Sequence, residues 1–285
     1  MNKIIEKQQL TDGVFRMTFE SPLIASNRKA GQFLIIQLDK DYGERIPLTI
    51  ADADAQKGTV TIIFQTVGKT TSDLSLLEPG DSIENVLGPL GTPTHIGKVG
   101  TVVCVGGGIG VAPLHPIVQA YKQAGNRVIT IIGARNKNLL IMKEEMSRWS
   151  DELIICTDDG SYGRKALVTE PLKALCEEGA VDEVVAIGPP IMMKFCAETT
   201  RPFQVKTTVS LNTIMVDGTG MCGGCRVTVD NKIKFVCVDG PEFDGHLVDF
   251  DNMMLRQQSY KKQETKANHQ CVIDKQAELL QKRDH

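Results

Sequence analysis

Hydrophobic positions along the chain change their period twice. Between Met1 and about Gly97 they form short runs, at 13–19, 32–38, 48–51 and 59–66, broken by Pro79-Gly80 and by Gly88-Pro-Leu-Gly91. Short apolar runs bounded by turn residues predict strands, and their regular spacing without a long helical stripe predicts a small antiparallel β-barrel over residues 1–97. From Thr101 the pattern alternates. Runs at 101–105, 128–133, 153–157 and 184–188 read as strands, and 112–124, 139–149 and 170–178 as helices. Strands alternating with helices predict an α/β domain with a parallel sheet, placed at 98–205. Residues 206–250, rich in Gly, Val and Cys, show no helical period and form a small third module. The polar tail 251–285 can be helical only with support from elsewhere, and its Met253, Met254, Leu255 and Tyr260 are candidate anchors on a partner.

A chain of 285 residues fits this division, since single domains run to about 100–200 residues. A net charge of -3 provides no basic field, which excludes nucleic acid as an expected partner. No uninterrupted apolar stretch is long enough to cross a bilayer, and residues 1–12 do not read as a signal peptide, so no membrane association and a cytoplasmic location are expected. The 8 cysteines fall into two groups. Cys104, Cys156, Cys176 and Cys196 are scattered among apolar or helical residues and read as small core thiols, and Cys271 stands alone in the tail. Cys222, Cys225 and Cys237 cluster, which in a reducing compartment marks a metal or redox site.

Gly106-Gly-Gly-Ile-Gly-Val-Ala-Pro113 ends a strand and opens a helix. Its glycines let backbone N–H groups approach a pyrophosphate, making Gly107, Gly108 and Gly110 candidates for nucleotide binding. Gly188 and Pro189 follow a later strand of the same sheet and supply a second loop. Thr157-Asp-Asp-Gly-Ser161 borders the same edge. Its carboxylates, Asp158 among them, disfavour a 2′-phosphate and so favour NAD(H) over NADP(H), while Arg135 argues the other way. In the barrel, Arg45, Pro47, Leu48 and Thr49 lie on one strand, and Gly68, Thr70 and Thr71 open a short helix. An Arg and hydroxyls near a helix start are donors that suit a diphosphate.

This order of motifs resembles the ferredoxin–NADP reductase superfamily over roughly residues 1–203. The resemblance implies FAD held by the barrel at the residues just named and NAD(H) held by the α/β domain, with no catalytic acid or base required for hydride transfer. Two departures are visible: the usual Arg-x-x-Ser/Thr is Arg-x-x-x-Thr here, and Ile187 occupies the position of a common Cys. Asp217-Gly-Thr-Gly-Met-Cys222-Gly-Gly-Cys225, followed by Cys237, resembles the [2Fe–2S] domain of the dihydroorotate dehydrogenase electron-transfer subunits. Asp217 stands where those relatives carry their first Cys. Asp217, Cys222, Cys225 and Cys237 are thus the implied cluster ligands, with a structural zinc site, or Asp217 as a turn residue only, as alternatives. The Asp, together with Cys237-Val-Asp-Gly-Pro-Glu-Phe243 and the tail, is similar to the small subunits of NADH-dependent reduced-ferredoxin:NADP oxidoreductases. That branch implies electron bifurcation in a heterodimer with a larger FAD and [4Fe–4S] subunit, which in turn meets ferredoxin. The competing readings are a dihydroorotate dehydrogenase electron-transfer subunit and a non-catalytic zinc-binding interaction module.

Overall fold

The computed structural model describes residues 2–41, 43–261 and 263–265. The remainder of the tail, with Cys271, lies outside the described residues. β1 (Asn2–Thr11), β2 (Val14–Glu20), β3 (Phe33–Gln37), β4 (Arg45–Asp54), β5 (Thr59–Gln65), β6 (Ser82–Ile83) and β7 (Asn85–Leu90) pair antiparallel in the order β6-β1-β2-β5-β4-β3-β7. Register shifts in the β1–β2, β3–β7 and β4–β5 pairs bend the sheet into a nearly closed barrel, because an extra residue on one strand increases local twist. β1 carries no clear alternation in its sequence; Ile4 anchors it to the barrel core while Glu6, Gln8 and Gln9 face outward. Two six-residue helices, α1 (Pro22–Asn27) and α2 (Lys69–Leu74), cap the barrel's connections.

The second sheet contains β8 (Thr101–Gly107), β9 (Arg127–Ala134), β10 (Glu152–Thr157), β11 (Arg164–Lys165), β12 (Glu183–Ile187), β13 (Lys206–Ser210) and β16 (Glu242–Asp244). Its order is β11-β10-β9-β8-β12-β13-β16, parallel throughout except for β16. The connecting helices are α3 (Val111–Gln123), α4 (Lys143–Trp149), α5 (Thr169–Glu177) and α6 (Pro190–Thr200). The central strands β8, β9 and β12 are buried on both faces, as continuous runs such as Val102–Val105 foretell.

The structure corrects the helix expected at 139–149. Only α4 is α-helical, after a 3₁₀ turn at Lys137–Leu139 and a left-handed Met142 (φ 56°). Leu140, Ile141 and Met142 are all buried under the α3 side of the sheet, so burial rather than helical periodicity accounts for that apolar run. α6 was not foreseen from the sequence; Pro189 and Pro190 read as a loop, yet a proline suits the first helical turn, where its missing N–H costs nothing.

In the third module, β14 (Arg226–Val229) and β15 (Lys232–Phe235) form a hairpin whose Asp230 and Asn231 both have positive φ. α7 (Val236–Asp239) follows, and α8 (Phe250–Gln257) packs back on the module through Phe250 and Met253. Met253 is therefore a core residue of this chain and not an anchor on another surface; Leu255 and Tyr260 are exposed. The modules share cores. Phe33 and Ile35 of β3 pack with Cys225, Val227 and Cys237, whereas Val14, Ala51 and Ile63 of the barrel pack with α3. No helix among the described residues is long and apolar enough to cross a membrane.

Candidate functional site

Strand order sets the nucleotide site. From β8 the chain winds through β9 to β10 on one side, and from β12 to β13 on the other, so the order reverses between the neighbours β8 and β12. Crevices at such a reversal, beyond the carboxyl ends of the strands, are where open α/β sheets bind ligands. The loops leaving β8 and β12 are those carrying Gly107, Gly108 and Gly110 and Gly188 and Pro189. Their glycines divide the work. A Cβ at Gly110 would strike the Ile187 carbonyl, one at Gly107 the Met192 sulfur, and one at Gly188 would come within 2.8 Å of the Met192 methyl. These three let the two loops and α6 close on each other. Gly108 differs: its φ is +55° and a Cβ there would meet nothing within 4 Å. It fronts open space at the start of α3, where the helix N-terminus favours negative charge.

The loops after β9 and β10 are clipped together beside this edge. The Asp158 N–H donates to the Ala134 carbonyl (3.1 Å), the Lys137 N–H to Ser161 Oγ (2.8 Å), and Thr157 Oγ1 to the Tyr162 carbonyl (2.7 Å). Asp159 accepts from the Ser161 hydroxyl and N–H, which hold its carboxyl below the usual range. Asp158 and Arg135 are exposed on adjacent loops, and Lys143 Nζ sits 4.6 Å over the Tyr162 ring.

On the barrel, β4 pairs with β3 so that Arg45 opposes Gln37, Pro47 opposes Ile35 and Thr49 opposes Phe33. Alternation puts Arg45, Pro47 and Thr49 on the outer face with Phe33 and Ile35, while Ile46 and Leu48 pack inward with Leu34 and Ile36. Leu48 can therefore meet a ligand only through its backbone. Thr70 Oγ1 donates to Glu44 Oε2 (2.5 Å), tying the start of α2 beside Arg45. Thr71 Oγ1 accepts the N–H groups of Val67 and Gly68 (both 3.1 Å), a helix cap that fixes the backbone of the turn. Arg45 is exposed, and a Cβ on Gly68 would meet nothing within 4 Å. An unobstructed cation beside an open helix start fits a flavin diphosphate.

The cluster loop lies against the same barrel face. Gly218 (φ +75°) approaches so closely that a Cβ would come within 2.9 Å of Ile35 and 3.0 Å of Leu90. The four implied ligands stand as two pairs: Cys222 Sγ is 3.6 Å from Asp217 Oδ1, and Cys225 Sγ is 3.3 Å from Cys237 Sγ. Among the described residues, no three Cys, His, Asp or Glu side chains converge as a single-ion site requires. Two separate donor pairs suit a binuclear cluster, one pair per iron, better than one tetrahedral zinc. The Gly224 N–H points at Cys222 Sγ (3.4 Å) and the Cys237 N–H at Cys225 Sγ (3.5 Å), donors of the kind that tune an iron–sulfur centre. Cys225 and Cys237 are buried, Cys222 exposed. Burial, followed by the bond to Cys225, pushes the Cys237 thiol up to about 12, so Cys237 ionises readily only against a metal cation. Asp217 accepts N–H bonds from Thr219, Met221 and Cys222, all at 3.0 Å, which hold its carboxyl low and ionised. It shapes the loop whether or not it also binds iron.

Sequence reasoning missed several parts of this assembly. Met192 had no motif to flag it. Glu242 and Thr94, which bond to each other across modules at 2.6 Å, lie 148 positions apart. Arg226 and Arg256, lining a cleft of about 300 Å³ beside Cys222, come together only when α8 folds back. The scattered cysteines, Cys104, Cys156, Cys176 and Cys196, are all buried, as their apolar neighbours foretold.

Comparison with known proteins matches residues 104–198 to an oxidoreductase NAD-binding domain and residues 212–249 to the iron–sulfur cluster binding domain of dihydroorotate dehydrogenase B. A Thermotoga maritima protein described as a homolog of the dihydroorotate dehydrogenase B (NAD(+)) electron transfer subunit is 49% identical over 264 residues, 93% of each chain. A chain from a structure of an NADH-dependent reduced ferredoxin-NADP oxidoreductase, described for flavin-based electron bifurcation, superposes with a TM-score of 0.90 at 47% identity, covering 95% of this chain and 98% of that one. A Neisseria gonorrhoeae ferredoxin NADP+ reductase shares the fold at 18% identity, with a TM-score of 0.59 over 71% of this chain and 90% of its own. The chain thus belongs to the family of dihydroorotate dehydrogenase B electron-transfer subunits and their homologues, oxidoreductases that work with FAD, an iron–sulfur cluster and NAD(H).

Proposed function

We propose that this chain is the small subunit of an electron-bifurcating NADH-dependent ferredoxin:NADP oxidoreductase, moving electrons between NAD(H), FAD and a [2Fe–2S] cluster. The observation that carries the reading is convergence on one barrel face. The outer side of β3 and β4, with Arg45, Pro47 and Thr49, is also where Gly218 brings the cluster loop down on Ile35 and Leu90. When bound, FAD interconverts the two-electron hydride of nicotinamide and the single electrons of an iron–sulfur centre. The chain's own residues then have positional tasks. Arg45 and the capped turn at Gly68, tied down by the Thr70–Glu44 contact, would hold the diphosphate, with Thr49 and the Leu48 backbone on the strand beside it. Gly108 would keep the switch point open to the nucleotide, Gly107, Gly110, Gly188 and Pro189 shape its loops, and Asp158, exposed on the neighbouring loop, would contribute to its binding. Asp217, Cys222, Cys225 and Cys237 would hold the cluster, where Cys222 Sγ already lies against Asp217 and Cys225 Sγ against Cys237.

The exposed corner of the cluster module is the face for the partner, a larger subunit carrying FAD and [4Fe–4S] that in turn meets ferredoxin. Met221, Val216, Leu255 and Tyr260 are exposed there, around the cleft with Arg226 and Arg256. Aromatic and Arg side chains around apolar anchors are typical of interface centres. The family match over 212–249 supports a second reading, in which the partner oxidises dihydroorotate. Purification from the native host with identification of the bound subunit separates the two. A flavin and [4Fe–4S] partner that exchanges electrons with NADPH and ferredoxin is expected; isolation without any partner, or with a dihydroorotate-oxidising one, overturns the first reading.

A further inference from the structure

The connector between barrel and nucleotide domain is laced to the segment that leaves the cluster loop. Its Thr92 N–H donates to the Gly240 carbonyl (2.6 Å), Thr92 Oγ1 to the Val238 carbonyl (3.3 Å), and Thr94 Oγ1 to Glu242 Oε1 (2.6 Å). The Thr94 N–H turns the other way, to the Ala30 carbonyl (2.9 Å), so the strap is anchored in the barrel. The carboxyl end of Glu242 also lies against Gly31 (φ +81°), where a Cβ would come within 2.9 Å of Oε1 and collide with Thr94 Oγ1. Glu242 itself is on β16, at the edge of the nucleotide sheet opposite Ser210. One half-buried carboxyl thus stands where barrel, connector, nucleotide sheet and cluster module meet.

We propose that Glu242 is a proton-controlled latch, which in its neutral form holds the cluster loop to the connector between barrel and nucleotide domain and when ionised releases it. The charged groups around it do not provide a dedicated counter-ion. Lys206 on β13 favours the carboxylate, but its ammonium is bonded to Glu183 of β12 (2.9 Å), which opposes it. On α3, Tyr121 donates its hydroxyl to Glu183 (3.0 Å), and Cys104 of β8 is a neutral buried thiol. Of the residues beside Gly31, Arg28 is paired with Asp52; Lys29 adjoins it, His95 follows Thr94 on the connector, and Asp244 is exposed farther along β16. Burial, only partly offset by the Thr94 bond, raises the Glu242 carboxyl from 4.5 to about 7. A raised carboxyl favours the closed arrangement at low pH, and that contribution is lost as pH rises from about 4.5 through about 7.

The inference does not depend on which electron partner the chain serves. Hydrogen–deuterium exchange on the cofactor-loaded full chain tests it, following the Thr92 and Leu211 amides, the latter bonded to the Pro241 carbonyl (2.8 Å). After correction for intrinsic exchange, their protection should fall about tenfold between pH 6 and pH 8, while that of β9 stays constant. Glu242→Gln, which keeps an acceptor for Thr94 and cannot ionise, should abolish that dependence and hold the protected value at both pH values. Thr94→Val should lower protection at both. Protection in the wild type that does not change over this range, or a Glu242→Gln chain with the wild-type slope, overturns the latch.

Discussion

The switch-point loops and the cluster loop are both short and glycine-rich, but they are held in opposite ways. At the switch point the supports are regular: β8 and β12 run parallel, and Gly107, Gly110 and Gly188 pack so tightly that no side chain fits. Gly108 differs from these three in fronting open space, since a Cβ there meets nothing within 4 Å. None of the implied cluster ligands sits on a strand of its own. The cluster loop's shape comes from three N–H groups gathered by Asp217, from a buried thiol pair, and from Gly218 pressed on β3. A site for a nucleotide that comes and goes can be rigid backbone around an open mouth. A site for a resident cluster needs its donors aimed at one place, and the metal itself completes the packing.

The largest expected effect lies in the cluster loop. Asp217→Ala removes the acceptor for three backbone donors together with an implied ligand, and should leave the chain without a stable [2Fe–2S] centre, read from its absorbance and paramagnetic resonance spectrum. Asp217→Cys should retain the centre with an altered spectrum and potential, because thiolate is a softer donor than carboxylate. Spectra equal to the wild type in both variants would reduce Asp217 to a turn residue and remove the main distinction from four-Cys relatives.

At the switch point two glycines should separate. Gly110→Ala forces a methyl into the Ile187 carbonyl and should destabilise the chain by about 1–3 kcal/mol in thermal or denaturant unfolding. A Cβ at Gly108 meets nothing within 4 Å, so the stability cost of Gly108→Val should be mainly backbone strain of about 1–3 kcal/mol, while NADH-driven flavin reduction is lost. If Gly108→Val reduces its flavin at the wild-type rate, the open mouth is elsewhere.

Arg45→Ala tests the barrel face that both loops adjoin. Removing a charge-assisted bond should weaken FAD retention by about 1.5–3 kcal/mol, measured as flavin lost on dialysis, with cluster content unchanged. Full flavin occupancy in that variant would move the diphosphate away from this strand.

The smallest effect is expected behind the switch point, at His115 on α3. It is buried, its Nδ1 has no hydrogen-bond partner among the described residues, and burial holds its pKa below the ordinary 6.5 despite a bond to the Ala51 backbone. A lowered histidine binds fewer protons folded than unfolded. Its contribution is present above about pH 6.5 and is lost as pH falls below that value. Melting curves between pH 5 and 7 should therefore show a shallower acid loss in His115→Gln than in the wild type. The Glu242 latch responds in the opposite direction, so the two junctions of the nucleotide domain are separable by pH.

The sequence by itself determined the modules and most of the chemistry. Alternation and turn residues marked a barrel, apolar runs between helical stripes marked a parallel sheet, and the spacing of Cys222, Cys225 and Cys237 marked a metal centre. Such features are legible because each depends on neighbours a few residues away. The same locality explains the errors: the apolar 139–142 segment looked helical until its burial under α3 was known, and Met253 looked like a partner anchor until α8 folded back on its own module. Tertiary structure alone decided that Arg45, Thr49 and Gly218 share one barrel face, that the four implied cluster ligands stand as two pairs, and that β13 and β16 extend the nucleotide sheet. It alone placed Glu242 against Thr94 and Gly31. Contacts between residues tens to more than a hundred positions apart leave no local period or motif; they arise when separate apolar faces bury one another and carry their polar edges into register.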